Sequence, residues 1–248
     1  METPHHLKHS KKARKNKEYL FEFIIIFVAI TGSYFAENLR EHFVDRHKEK
    51  EYMESMLQDL RSDSANLVRV IELNKEQIKG LDSLLNLMNN KLENNEILKF
   101  CNYDLKYTLN YNAFNPINRT IAQLMNTGGL GLVKEKTVSD GIVGYDNAKN
   151  SILKQADLLE TRFTKILDQH TDIFDFVSIM KSRNESSILN LKKEFPILVT
   201  SNKKTMHAYY FNIIVFKGSI NVYTQKTEEL LKEAFQTLLF LTLYIPNA

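Results

Sequence analysis

The chain has 248 residues, 43% of them hydrophobic and 25% charged, which is the ordinary range of a folded protein and argues against disorder. The net charge of +3 is small and gathers in the first seventeen residues, so no nucleic-acid footprint is expected. With one cysteine, Cys101, an internal disulfide and a cysteine-based zinc site are excluded. Eight glycines and four prolines leave little turn material, which favours long helices over many short strands.

The first element is a tail, residues 1–18, carrying Lys8, Lys11, Lys12, Arg14, Lys15 and Lys17, with His5, His6 and His9 among them. An apolar run follows from Tyr19 to Ala36. Its eighteen residues rise roughly 27 Å as a helix, close to the hydrocarbon thickness of about 30 Å. Glu22 lies near one end of the run, within reach of the headgroups. Three readings compete. A signal peptide cut after Ser33 is chemically feasible, whereas a cut after Ala36 puts Tyr34 at a position that wants a small residue. A buried helix of a soluble protein is the second. The third, a retained anchor, is favoured. Basic residues before the run and mixed charges after it (Glu37, Arg40, Glu41, Asp45, Arg46) place the N-terminus in the cytoplasm and the body outside. The expected organisation is a cytoplasmic tail (1–18), a transmembrane anchor (19–36) contacting the lipid bilayer, and an extracytoplasmic body (37–248), held in a bacterial inner membrane.

In the body, Met53, Leu57, Leu60, Ser64, Leu67, Ile71, Asn74, Ile78, Leu81, Leu85, Met88 and Leu92 alternate steps of four and three, and ten of the twelve are apolar. That is a strong helical stripe. Met56, Val70 and Leu84 widen it beyond a two-stranded seam. The spacing returns from Val138 through Ile142, Tyr145, Lys149, Ile152, Ala156, Leu159, Phe163, Ile166, His170, Ile173 and Val177 to Met180. A third stripe runs from Met206 to Ile245, with polar gaps at Lys217, Thr224 and Thr227. Three long amphipathic helices must cover one another, so the fold class is all-α: a transmembrane helix continuing into an up-and-down bundle. No strand pair is expected. The closing apolar run, Leu238 to Ile245, is too short for a second span and ends at Pro246.

Between the first two stripes, Pro116 demands an extended or turn conformation before it. Thr120 with Gln123 fits a capping box for a short helix, which Asn126-Thr127-Gly128-Gly129 ends through a left-handed glycine. Leu130, Leu132 and Val133 return to the core, and Thr137 or Ser139 can cap the next helix. Gly128, Gly129, Gly131 and Lys134 lack the spacing of a P-loop or of a dinucleotide fingerprint.

His170 and Asn74 are polar members of apolar stripes. They are candidates for a ligand contact inside the bundle, and the competing reading makes them polar residues that fix register. If His170 is only structural, His170→Leu is expected to leave stability unchanged or improve it. Asp168, Asp172 and Asp175 fall mainly on an outer face, and no Glu-x-x-His or His-Glu-x-x-His occurs in the helical body. No cofactor, metal or catalytic residue is expected, and no nucleophile signature is present.

The order of parts resembles an uncharacterised bacterial family of single-pass membrane-anchored proteins, a domain of unknown function. The likeness lies in Glu22, the span Phe23 to Ala36, Glu37-Asn38-Leu39-Arg40-Glu41 and Glu49-Lys50-Glu51-Tyr52, and again in Thr120 to Asp140 around Leu130-Gly131-Leu132-Val133-Lys134. It covers about two thirds of the chain. Leu39 departs from it, standing where many members carry tryptophan. The resemblance implies the anchor and the helical body and brings no activity. The expected role is a non-enzymatic interaction or scaffold protein of the cell envelope, working with an envelope protein or as a homo-oligomer. The alternative is a ligand-sensing domain. Because a tail of about eighteen residues cannot fold into an output domain, a sensor would need a partner to carry the signal.

Overall fold

The computed structural model describes residues 9–89, 94–184, 187–191 and 197–245. His5, His6, Lys8, Leu92 and Pro246 lie outside the described residues. The chain divides into two compact units, residues 1–51 and 52–247, and helix α1 (His9–Asn89) contributes to both.

In the first unit, α1 is long and apolar enough to cross a membrane, judged by length and composition. Every residue from Glu18 to Asp45 is exposed. Two of its bonds are local: Ser33 donates to the Ala29 carbonyl (2.8 Å), and Arg40 pairs with Glu37 (2.5 Å).

The second unit is a helical bundle. Its long members are α1 from Tyr52 onward, α4 (Lys136–Ile173) and α6 (Lys203–Tyr244). Met53, Leu60, Leu67, Leu81, Ile142, Ile152, Leu159, Ile166, Ile213, Ile220, Ala234 and Leu241 form its core, as the three stripes predict, whereas at the third stripe's Leu231 position it is Leu230 that is fully buried. The chain goes up α1, down, up α4 and down α6. Ion pairs Lys75–Glu228 (2.7 Å) and Lys217–Asp82 (2.5 Å) fix α6 antiparallel to α1. The polar gaps of the third stripe are satisfied. Buried Thr224 and Thr227 donate to the carbonyls four residues back, and half-buried Lys217 takes Asp82. Lys149, buried in the second stripe, pairs with Asp146 (2.6 Å).

The first downward pass is only partly helical. After α2 (Asn94–Tyr107) the chain has no regular secondary structure from Asn110 to Asn118, so its backbone polar groups need side-chain partners. The Gln77 amide donates to the carbonyls of Tyr107 and Asn110 (2.8 Å each), the Phe114 N–H donates to the Tyr223 hydroxyl (2.7 Å), and the Ile117 N–H donates to Asp63 (3.1 Å). Phe114 itself is buried.

Several local expectations are corrected. Helix α3 (Arg119–Asn126) begins after Asn118, and Thr120 is inside it, so no capping box forms. The Thr120 hydroxyl donates instead to Asp59 across on α1 (2.5 Å). Helix α4 starts after Glu135 without a side-chain cap. Thr137 bonds the Glu135 carboxylate and Ser139 the Lys136 carbonyl. Gly128 does take the left-handed conformation (φ 73°), leading into a 3-10 turn, Gly129–Leu132.

The second stripe stops at Ile173. Phe174 turns extended, and Asp175 then caps a new helix, α5 (Phe176–Ser182), by accepting from the N–H groups of Val177 and Ser178. Val177 and Met180 are therefore 65% and 56% exposed rather than core. A short antiparallel pair, β1 (Arg183–Asn184) with β2 (Ser187–Leu191), is present where no strand pairing is expected from the sequence.

Candidate functional site

His170 sits in the last turn of α4, which delivers it to the point where α2 and α6 also meet. Its Nε2 is 2.9 Å from Asp104 Oδ2 and 2.9 Å from Thr108 Oγ1, both on or just after α2. From α6, the Tyr209 hydroxyl donates to the other Asp104 oxygen. The Thr108 hydroxyl donates to the Asp104 carbonyl (2.8 Å), so its oxygen is free to accept from Nε2–H. Phe174, Phe176 and Tyr209 ring the imidazole at centroid distances of 5.9, 6.3 and 5.8 Å. Asp104, Thr108, His170 and Tyr209 are all buried.

This geometry is a pin, not a nucleophilic triad. A triad uses both imidazole nitrogens, one toward the carboxylate and one toward the hydroxyl. Here the carboxylate and the hydroxyl share Nε2, while Nδ1 is buried without a hydrogen-bond partner. Burial first, and then the Asp104 carboxylate, push the Tyr209 phenol well above its ordinary range, which keeps it a donor. Burial and Asp104 likewise push the Cys101 thiol up, so it is not a nucleophile.

Asn74 on α1 is fully buried, and neither its amide nitrogen nor its oxygen has a partner, so no hydrogen bond joins it to His170. The two sequence candidates are thus both interior, one satisfied through Nε2 and the other orphaned. Asp168 and Asp172 are exposed, and Asp175 serves as the α5 cap. Among the described residues, no group of three His, Cys, Asp or Glu is placed to hold a metal ion.

A second polar centre escapes sequence reading. Asp63, on α1, accepts from the Tyr145 hydroxyl (2.6 Å) and the Ile117 N–H, and one turn away Asp59 accepts from Thr120 and Arg119. Burial raises the Asp63 carboxyl above its ordinary value, against the lowering effect of its two hydrogen bonds. The signal for it was the Pro116 segment, whose irregular backbone needs acceptors, together with two aspartates spaced i, i+4.

Two open concavities among the described residues lie elsewhere. Two adjoining clefts of about 440 and 400 Å³ sit where the start of α4 meets the end of α6. Lys136, Asp140, Glu233 and Gln236 line one, and Val138, Leu243 and Tyr244 the other, with Thr137 and Phe240 common to both. No protein-family model matches the sequence, and comparison with curated proteins and with solved structures finds no match.

Proposed function

We propose that this is a non-enzymatic, membrane-tethered interaction protein of the bacterial cell envelope. In this reading residues 19–36 cross the inner membrane, with the basic tail inside and the bundle presented to the periplasm. The observation that carries it is the contrast between the two ends of α1. The run from Tyr19 to Ala36 is apolar and exposed along its whole length, whereas the apolar stripe from Met53 onward is covered by the bundle. An uncovered apolar run of this length suits lipid. The buried Asp104–His170–Tyr209 group is spent on holding α2, α4 and α6 together, and none of its members lines either α4–α6 cleft, which favours a scaffold over a catalyst.

The test is in-cell crosslinking of the tagged full-length protein, followed by mass spectrometry of the membrane fraction. Reproducible capture of an envelope protein is the expected result, and recovery of the chain alone in the soluble fraction sinks the reading. A ligand-sensing role is the second reading. The α4–α6 clefts favour it, and the enclosed His170 centre does not. It predicts a ligand-dependent rise in melting temperature that substitutions at Glu233 or Phe240 remove.

A further inference from the structure

We infer that the cleft between the start of α4 and the end of α6 binds a small organic cation, a single ammonium group carried on an apolar body. The inference rests on the ligand-sensing reading and names the chemical class of the ligand.

The charged half of the cleft is built on one turn of α4. Asp140 and Gly144 stand four residues apart on the same side of that helix. The half-buried Glu233, on α6, brings its carboxylate over Gly144, where a Cβ would stand 3.5 Å from its Oε2. Asp140 and Glu233 both line the cleft of about 440 Å³. Neither carboxylate has a hydrogen-bond or ion-pair partner among the described residues. The donors nearby are engaged elsewhere or stand apart. The Thr237 hydroxyl, one turn after Glu233, is held by the carbonyls of Glu233 and Gly141 (2.8 and 3.1 Å), and Lys136, one turn before Asp140, forms no ion pair with it. By contrast, the buried carboxylates Asp59, Asp63 and Asp104 each hold donors. Two open carboxylates facing one cleft call for a cation.

Gly144 points the same way. Glycine weakens a helix interior relative to alanine, so each glycine inside α4 needs a reason. Gly141 has one in packing, because a Cβ there would meet the Phe240 ring at 3.1 Å and Thr237 Oγ1 at 3.3 Å. Packing does not demand Gly144, since its 3.5 Å approach to Glu233 is ordinary contact. What a methyl group at 144 would fill is the space in front of the Glu233 carboxylate, and a bound cation needs that space.

The adjoining cleft, of about 400 Å³, supplies the apolar wall through Val138, Leu243 and Tyr244, and Phe240 is common to both clefts. A ligand lying across Phe240 sets its ammonium between the carboxylates and its body against that wall. The charges select one ammonium. Two carboxylates against Lys136 leave the first cleft one negative charge, which a monocation neutralises and an anion would increase. In the second cleft the Glu135 carboxylate is already engaged by the Thr137 hydroxyl (2.8 Å), so an apolar body suits it better than a second ammonium.

The test is isothermal titration of the full-length chain in detergent with phenethylamine, set against hydrocinnamate, phenethyl alcohol and putrescine. Phenethylamine should bind saturably, and about tenfold or more tighter than each of the others. Glu233→Gln should weaken it by about the same factor. Gly144→Ala should weaken it too, with a melting temperature equal to or above the parent's, which separates lost binding from lost fold. Equal affinity for hydrocinnamate or phenethyl alcohol overturns the ammonium class and leaves a ligand cleft standing. Equal affinity for putrescine overturns the apolar body, and unchanged binding in both variants overturns the site. No saturable binding of any probe sinks the ligand-sensing reading along with the inference.

Discussion

The Nε2 of His170, on α4, lies 2.9 Å from Oδ2 of Asp104, on α2, with both side chains withdrawn from water. This pairing reverses the expectation that His170→Leu is neutral or stabilising. That expectation treats the imidazole as an isolated polar group in an apolar stripe. Its loss instead strands a buried carboxylate, for which the cost of breaking a buried pair is about 3–5 kcal/mol. Urea unfolding of the full-length chain in detergent should show a loss of that order for His170→Leu. The double variant His170→Leu/Asp104→Leu should recover part of it. Additive losses from the two substitutions would mean that the pair is not coupled.

Gly80 is fixed by contact rather than by backbone conformation. The ring of Tyr107 lies over it, so that a Cβ at position 80 would stand 2.4 Å from three ring atoms. Gly80→Ala should therefore destabilise despite alanine's better helix propensity, by about 1–3 kcal/mol from overpacking. Combining it with Tyr107→Ala should remove the penalty attributable to the methyl group. A stabilising Gly80→Ala would show that α2 does not rest on α1 there.

The long stripes were legible because a helical period repeated over ten or more positions leaves few alternatives, and α1, α4 and α6 follow them. What spacing does not carry is which polar groups meet across the bundle. His170 stood out in its stripe, but Asp104 did not, because it lies on a short helix between Phe100 and Thr108 where no long pattern flags it. The second stripe overran at Phe174 because Val177 and Met180 keep the period by residue type. A change of backbone direction, stabilised by the Asp175 cap, decides that they face water. The Thr120 capping box failed for a related reason. A local motif competed with a tertiary acceptor, Asp59, and the tertiary bond won.

Asn74 gives the opposite prediction to His170. Its amide is buried with neither atom hydrogen-bonded, and an unsatisfied buried polar group costs about 1–3 kcal/mol. Asn74→Leu, similar in size, should raise the unfolding midpoint. A fall would mean that the amide is engaged by something the isolated chain does not supply, and would restore it as a ligand contact.

Two aspartates should tilt the pH dependence of stability in opposite senses. The Asp175 carboxyl lies below its ordinary value, chiefly through hydrogen bonds from Ser178. Its contribution is complete above the unfolded aspartate value of about 3.9 and is lost as pH falls through the lower folded value. Asp63 is raised, chiefly by burial, so its proton is held harder in the folded state. That contribution is present below the unfolded value and is lost as pH rises through the folded one. Unfolding measured across acidic pH should therefore show less acid sensitivity in Asp175→Ala. Asp63→Asn should lose less stability than the parent as pH rises out of the acid range. Parallel curves for parent and variants would contradict both assignments.

Cys101 supplies a probe of the centre around Asp104. The thiol is buried, and burial together with the nearby Asp104 carboxylate pushes its ionisation up, so almost no thiolate exists near neutral pH. A disulfide-exchange reagent at pH 8 should leave the folded chain unmodified, and denaturant should release one reactive thiol. In His170→Leu, where the α2–α4 pin is broken, labelling should accelerate through local opening of α2 even under conditions that keep the bundle folded. Rapid labelling of the parent protein would show that α2 opens without that substitution, and that the Asp104 pair does not hold it.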